Sequence, residues 1–125
     1  MSIADLRREF AQGALHESDL DPDPVKQFGR WFQEVLDSGF IEPNAMTLAT
    51  VGADGSPSAR IVLLKGFDEQ GFVFFTNYHS DKGRELEANP RAALVFYWDK
   101  LERSVRITGV VTRTSRAESE AYFQT

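Results

Sequence analysis

The 125 residues contain no cysteine and only two histidines, His16 and His79, far apart in the chain. The first absence excludes a disulfide scaffold, a thiolate metal site and a cysteine nucleophile within this chain. The second leaves no ligand spacing for a structural zinc. No apolar run approaches the roughly 20 residues of a membrane-spanning helix. The N-terminus, with Asp5, Arg7, Arg8 and Glu9 close together, has no signal-peptide core. The expectation is a soluble cytoplasmic protein with no membrane partner. Basic charge is not in excess either, since 14 Lys and Arg face 19 Asp and Glu for a net charge of −5. Nucleic-acid binding, which needs a basic stripe to displace counterions, is thereby disfavoured. Hydrophobic residues at 42% and charged residues at 26% exclude global disorder and low-complexity classes, and the length suits one domain with its own core.

The charge that is present lies unevenly. Residues 1–44 carry 4 cations and 9 anions, whereas residues 45–125 carry 10 of each. The acidity therefore belongs to the N-terminal segment, notably Glu17, Asp19, Asp21 and Asp23. Ile3, Leu6 and Phe10 recur at helical spacing behind Ser2, which predicts a short first helix. A turn-rich acidic connector follows. Asp23-Pro24 then supplies an N-cap and a first-turn proline for a helix bearing Val25, Phe28, Trp31, Phe32, Val35 and Leu36, stopped by Gly39.

Strands are predicted over Met46–Val51, Ser58–Lys65, Phe72–Thr76, Arg91–Trp98 and Leu101–Thr112, with turns at Gly52–Gly55, Phe67–Gly71 and Asp99-Lys100. Ser80–Asn89 reads as a helix. Ser115-Arg116-Ala117-Glu118 has the form of a capping box and predicts a helix starting at 115. Such a helix, with about ten residues before the chain ends, is marginal without packing partners. Either it docks on the barrel or the chain is cut from something longer. Five strands at hairpin spacing give a mainly β (α+β) fold, an antiparallel sheet or barrel with flanking helices. The expected organisation is a single domain, 1–125, with a helical arm (1–44), barrel strands (45–114) and the start of a helix (115–125).

Three segments could carry chemistry. Arg60-Ile61-Val62-Leu63-Leu64-Lys65 has four consecutive apolar residues between two cations. It reads either as a core strand, buried on both faces with charged ends in solvent, or as a strand whose Arg60 and Lys65 frame an anion. Phe75-Thr76-Asn77 and then Ser80-Asp81-Lys82-Gly83-Arg84 make a strand end, a polar loop and a helix N-terminus. That arrangement is a plain capped helix or a phosphate site. In Leu101–Gly109, alternation puts Val105, Ile107 and Gly109 on one face and Ser104, Arg106 and Thr108 on the other. Glu102, Arg103 and Arg106 there suit cross-strand ion pairs.

Taken in order, Leu6-Arg7-Arg8-Glu9-Phe10, Asn44–Val51, Arg60–Lys65, Phe74-Phe75-Thr76-Asn77, Asn89-Pro90-Arg91, Leu101-Glu102-Arg103 and Ala121-Tyr122-Phe123 resemble the pyridoxamine (pyridoxine) 5′-phosphate oxidase family. The resemblance implies an FMN-binding split β-barrel, antiparallel and Greek-key-like, in a homodimer with FMN at the interface. It implies that Arg60 and Lys82 hold the FMN phosphate, that Ile61, Val62, Leu63, Leu64 and Lys65 run along the flavin and ribityl chain, and that Phe75 and Thr76 add contacts. Ser104 stands at a flavin-contacting position often held by Gln. Lys65 and Tyr122 match positions for the phosphate of the B6 substrate, and Arg7, Arg8 and Phe10 match a segment that folds over the active site. The implied reaction oxidises pyridoxamine or pyridoxine 5′-phosphate to pyridoxal 5′-phosphate, with hydride passing from C4′ to flavin N5 and O2 reduced to hydrogen peroxide.

Asp81 departs from the family by standing where many members have a basic residue, and Phe10 replaces a common Tyr. The family pattern also runs beyond the position of Thr125, with further substrate-phosphate residues and a terminal Arg-Leu-His-Asp-Arg-like motif. With Lys65 and Tyr122 alone, substrate binding is expected to be poor. Two alternatives follow: a related flavin oxidase of the phenazine-biosynthesis type, against which Lys65 argues, and a non-catalytic FMN-binding module.

Overall fold

Strict alternation builds the sheet. In the computed structural model, which describes residues 2–6, 17–75, 81–113 and 120–124, strand β1 (Ala45–Val51) turns Met46, Leu48 and Thr50 inward and leaves the residues between them half-buried. Gly52–Ser56 closes the first hairpin. There Gly55 takes φ +86°, a left-handed conformation that an L side chain would strain, and the Asp54 carboxylate accepts the Ser56 N–H at 2.9 Å. Strand β2 (Pro57–Asp68) pairs with β1 from Val51↔Pro57 to Ala45↔Leu63. It runs three residues further than the sequence suggests, through an irregularity between Leu64 and Gly66. The next turn is thus confined to Glu69 and Gln70, ahead of β3 (Gly71–Phe75).

Helix α2 (Asp81–Ala88) leads to a second meander of β4 (Arg91–Trp98), β5 (Arg103–Arg113) and β6 (Glu120–Gln124). The two three-stranded meanders join along both edges, β1 with β4 and β3 with β6, to close a barrel in the order β1-β2-β3-β6-β5-β4. An antiparallel barrel is what the strand pattern predicts.

Strand β6 corrects one expectation. The helix predicted over 115–125 is absent from Glu120–Gln124, which is extended; residues 114–119 lie outside the described residues. Phe123 pairs with both Phe72 and Val111, and Tyr122 with both Val73 and Thr112. Without β6, strands β3 and β5 would each present an open row of backbone groups. Satisfying two ladders at once outweighs a local capping signal, and Tyr and Phe suit a strand.

Helix α1 (Pro24–Asp37) starts as read from the sequence, with the Asp23 carboxylate accepting the Val25 N–H at 2.9 Å, and Gly39 follows its end at φ +74°. It packs on the barrel through Phe28, whose ring stands edge-on to Phe67 and Phe72 at 4.8 and 5.0 Å and lies 5.1 Å from Phe96. The core beneath is Met46, Leu48, Phe74, Leu94, Phe96 and Trp98, and the indole N–H of Trp98 is satisfied by the Pro43 carbonyl at 3.0 Å. Arg103 pairs with Glu34 and lies 4.6 Å from the Trp31 ring centroid, tying β5 to α1 rather than to a neighbouring strand. The Lys100 ammonium donates to the Ser38 carbonyl at the helix C-terminus at 3.0 Å, where the dipole favours a cation. No helix among the described residues is long and apolar enough to cross a membrane.

Candidate functional site

The hairpin end of β1 and β2 gathers four polar side chains. Thr50 sits directly across from Ser58, and Arg60 is opposite Leu48, two residues along. Residues on one face at these offsets are within reach of each other. The Arg60 guanidinium donates to the Thr50 hydroxyl at 2.7 Å, and Thr50 in turn donates to the Glu85 carboxylate at 2.5 Å. Ser58 donates to the other Glu85 oxygen at 3.0 Å, and a second Arg60 nitrogen lies 3.5 Å from the carboxylate. Glu85 comes from α2, whose next residue, Leu86, is buried in the core and anchors the helix there. Thr50 is only 1% exposed, so its hydroxyl needs these partners.

Electrostatics follow from the contacts. The hydrogen bond from Thr50 holds the Glu85 carboxyl below the usual glutamate range; partial burial opposes this, and Ser58 and the Arg60 charge add to it. Helix α2 begins at Asp81, four residues before Glu85 and so about 6 Å away along the axis. Its N-terminal turn, with the positive end of the helix dipole, thus lies about one helical turn from the residue that pairs with Arg60. Cationic guanidinium and helix N-terminus together form a donor set suited to a phosphate.

The outer face of β2 is different in kind. Ile61 and Leu63 are 66% and 45% exposed, while Val62 and Leu64 are each 6% exposed. The expectation of a strand buried on both faces is thus corrected: the apolar run covers the core on one side only. Outside, Ile61 pairs with Thr47 of β1, which pairs with Val95 of β4; Tyr97, also exposed, lies further along β4. An apolar outer strip therefore crosses β2, β1 and β4.

The predicted site residues divide between these two places. Arg60 and Lys65 are five positions apart on one strand, an odd number, so they face opposite sides and do not frame one anion from the same face. Lys65 is outward, with its ammonium 5.8 Å from the centroid of the exposed Phe75 ring. Ser104 is exposed on β5 opposite Tyr97. Val62 and Leu64 turn into the core, which leaves only their backbone for a ligand. Lys82 is the second residue of α2, and Tyr122 occupies the middle of β6. Arg7, Arg8, Phe10 and Thr76 lie outside the described residues. Sequence reasoning missed Thr50, Ser58 and Glu85. The signal was a lone hydroxyl at the inward parity of an otherwise apolar β1 face, facing Ser58 across a tight hairpin.

A cleft of about 260 Å³ between the start of α1 and β5, lined by Val25, Phe28, Phe72, Val105 and Ile107 among others, contains none of the predicted site residues. Among the described residues no group of three or more His, Asp or Glu side chains is placed to hold a metal ion.

Residues 32–125 match the protein family described as "Pyridoxamine 5'-phosphate oxidase". A protein of Rubrobacter xylanophilus named pyridoxine/pyridoxamine 5′-phosphate oxidase is 63% identical over 123 residues, which is 98% of this chain and 57% of that protein. The protein of the same name from Cupriavidus taiwanensis is also 63% identical, over 98% of this chain and 58% of its own length. The chain thus spans a little under three-fifths of the length of these curated relatives. Among solved structures, PhzG from Burkholderia lata in complex with tetrahydrophenazine-1-carboxylic acid superposes with a TM-score of 0.73 at 30% identity, covering 78% of this chain and 50% of that one. A pyridoxamine 5′-phosphate oxidase-related, FMN-binding protein from Nostoc punctiforme has a TM-score of 0.64 at 22% identity, over 74% of this chain and 48% of that one. The latter likeness is one of fold.

Proposed function

The chain belongs to the pyridoxamine 5′-phosphate oxidase family, and we propose that it carries the flavin-binding part of an FMN-dependent oxidase acting on pyridoxamine or pyridoxine 5′-phosphate in the cytoplasm. The observation that carries the proposal is the Arg60 guanidinium held in a polar corner by Thr50 and by Glu85, which lies one helical turn from the start of α2. These residues fit the phosphate end of FMN. A dianion there meets one fixed cation and the amide ends of a helix, with Lys82 available from the first turn.

The outer face of β2 suits the rest of the cofactor. Ile61 and Leu63 offer apolar surface, the strand backbone offers donors and acceptors, and Phe75 is exposed on the adjoining β3, while Ser104 is exposed on β5, which does not adjoin β2. The chemistry supplied by FMN held there would be two-electron oxidation at C4′ with O2 as final acceptor and hydrogen peroxide as by-product, the alcohol giving pyridoxal 5′-phosphate directly and the amine giving it after its imine takes up water and releases ammonia. The protein's part is to bind and orient. Lys65 and Tyr122 would take the substrate phosphate, and Arg7, Arg8 and Phe10 would cover the site. The apolar strip across β2, β1 and β4 would be buried against a second copy, placing FMN at the interface of a homodimer.

A second reading has its own support. The structural likeness to PhzG favours a flavin oxidase acting on a phenazine precursor. One experiment separates the readings. Purified chain is titrated with FMN by flavin fluorescence, and oxygen uptake is then followed with pyridoxine 5′-phosphate. Saturable FMN binding is expected, with substrate-dependent uptake that is weak because only Lys65 and Tyr122 would hold the substrate phosphate. Binding without turnover would favour the phenazine-type reading or a flavin-binding module, and no binding would overturn both flavin readings.

A further inference from the structure

We propose that Glu85 is a positioning residue, which fixes the Arg60 guanidinium for the terminal phosphate of FMN and so makes the site selective for FMN over riboflavin. This rests on the FMN reading above. Left alone, a long arginine side chain samples many rotamers and would lose that freedom on meeting a ligand. Here the loss is taken on folding. Thr50 bridges one guanidinium nitrogen to Glu85, Ser58 fixes the second carboxylate oxygen, and a further guanidinium nitrogen faces the carboxylate.

Glu85 could instead be a competitor for Arg60, and the geometry argues otherwise. A saturating Arg–carboxylate pair is bidentate, with two N–H···O bonds near 2.7–2.9 Å. The Arg60–Glu85 approach is 3.5 Å, and the short bond from Arg60 goes to the neutral Thr50 hydroxyl. The guanidinium is therefore oriented more than it is neutralised. Glu85 also belongs to the helix whose N-terminus completes the phosphate donor set, and Leu86 pins that helix to the barrel. One side chain thus sets the spacing between the two halves of the anion site.

The test measures dissociation constants for FMN and for riboflavin, by fluorescence titration, in the wild-type chain and in Glu85→Ala and Glu85→Gln. Glu85→Ala is expected to weaken FMN roughly tenfold, on the scale of one misplaced charged hydrogen bond, with riboflavin affinity unchanged. Glu85→Gln keeps an acceptor for Thr50 and should restore most of the FMN affinity. Should Glu85→Ala fail to fold, Glu85→Gln against Thr50→Val decides, the latter expected to lose FMN selectivity and the former to keep it. Equal weakening of FMN and riboflavin would mean a purely structural role and overturn the inference. Unchanged or tighter FMN binding in Glu85→Ala would mean competition and overturn it equally. A wild-type chain that binds neither flavin would overturn the FMN reading itself, and this inference with it.

Discussion

Arg60 concentrates the chemistry because its cation is both half-buried and held. Removing it takes away a charged donor, so Arg60→Ala should weaken FMN binding by about 1.5–3 kcal/mol, and Lys82→Ala by a similar amount. Unchanged affinity in both variants by fluorescence titration would remove the phosphate assignment. Glu85 makes a prediction about stability. Its folded carboxyl titrates below the ordinary glutamate range, so the folded state binds fewer protons than the unfolded chain in that window. The stabilisation is fully present at neutral pH and is lost as the pH falls through the folded-state value. Glu85→Gln should therefore flatten the acid limb of a Tm-versus-pH curve, and an identical limb in both proteins would contradict the linkage. At this scale the sequence was only half legible. Arg60 stood out as a cation beside an apolar run, but its partners come from β1 and α2, ten and 25 positions away, and no local pattern pairs them.

Elements were more readable than contacts. Asp23-Pro24 and the apolar stripe behind it define α1, apolar stretches bounded by turn residues mark β1 and β4, and period-two alternation marks β5, because each signal is local. The exposure of Ile61 and Leu63 was not legible, since a run of four apolar residues looks the same whether its outer face meets a helix, a ligand or a partner. Strand β6 was hidden for a different reason: its ladders are made with β3 and β5, about 50 and ten residues earlier, while the capping residues ahead of it speak only for their own turn. Two variants test these placements. Ala121→Pro removes a ladder donor from a strand paired on both sides and should destabilise the fold by at least about 1–3 kcal/mol in urea unfolding; a neutral effect would argue against β6. Phe28→Ala, which empties the space among Phe67, Phe72, Phe96 and Trp98, should cost about 3–5 kcal/mol.

The whole molecule combines a sealed barrel with two unlike surfaces. A polar corner built on Arg60 and Glu85 lies at one end beside α2, and an apolar strip runs down the outside of β2, β1 and β4. Net charge divides in the same manner, with the acidity in residues 1–44 and a neutral balance across the barrel, so nothing general repels a phosphate from Arg60. If the strip is a homodimer interface, Leu63→Lys should yield a monomer by sedimentation and lose FMN affinity with it. The central claim is that this chain builds an FMN site around Arg60. A fluorescence titration of the purified chain with FMN tests it most directly: saturable quenching at one FMN per chain, weakened in Arg60→Ala, is the predicted result. No saturable binding, or binding indifferent to Arg60→Ala, would contradict it.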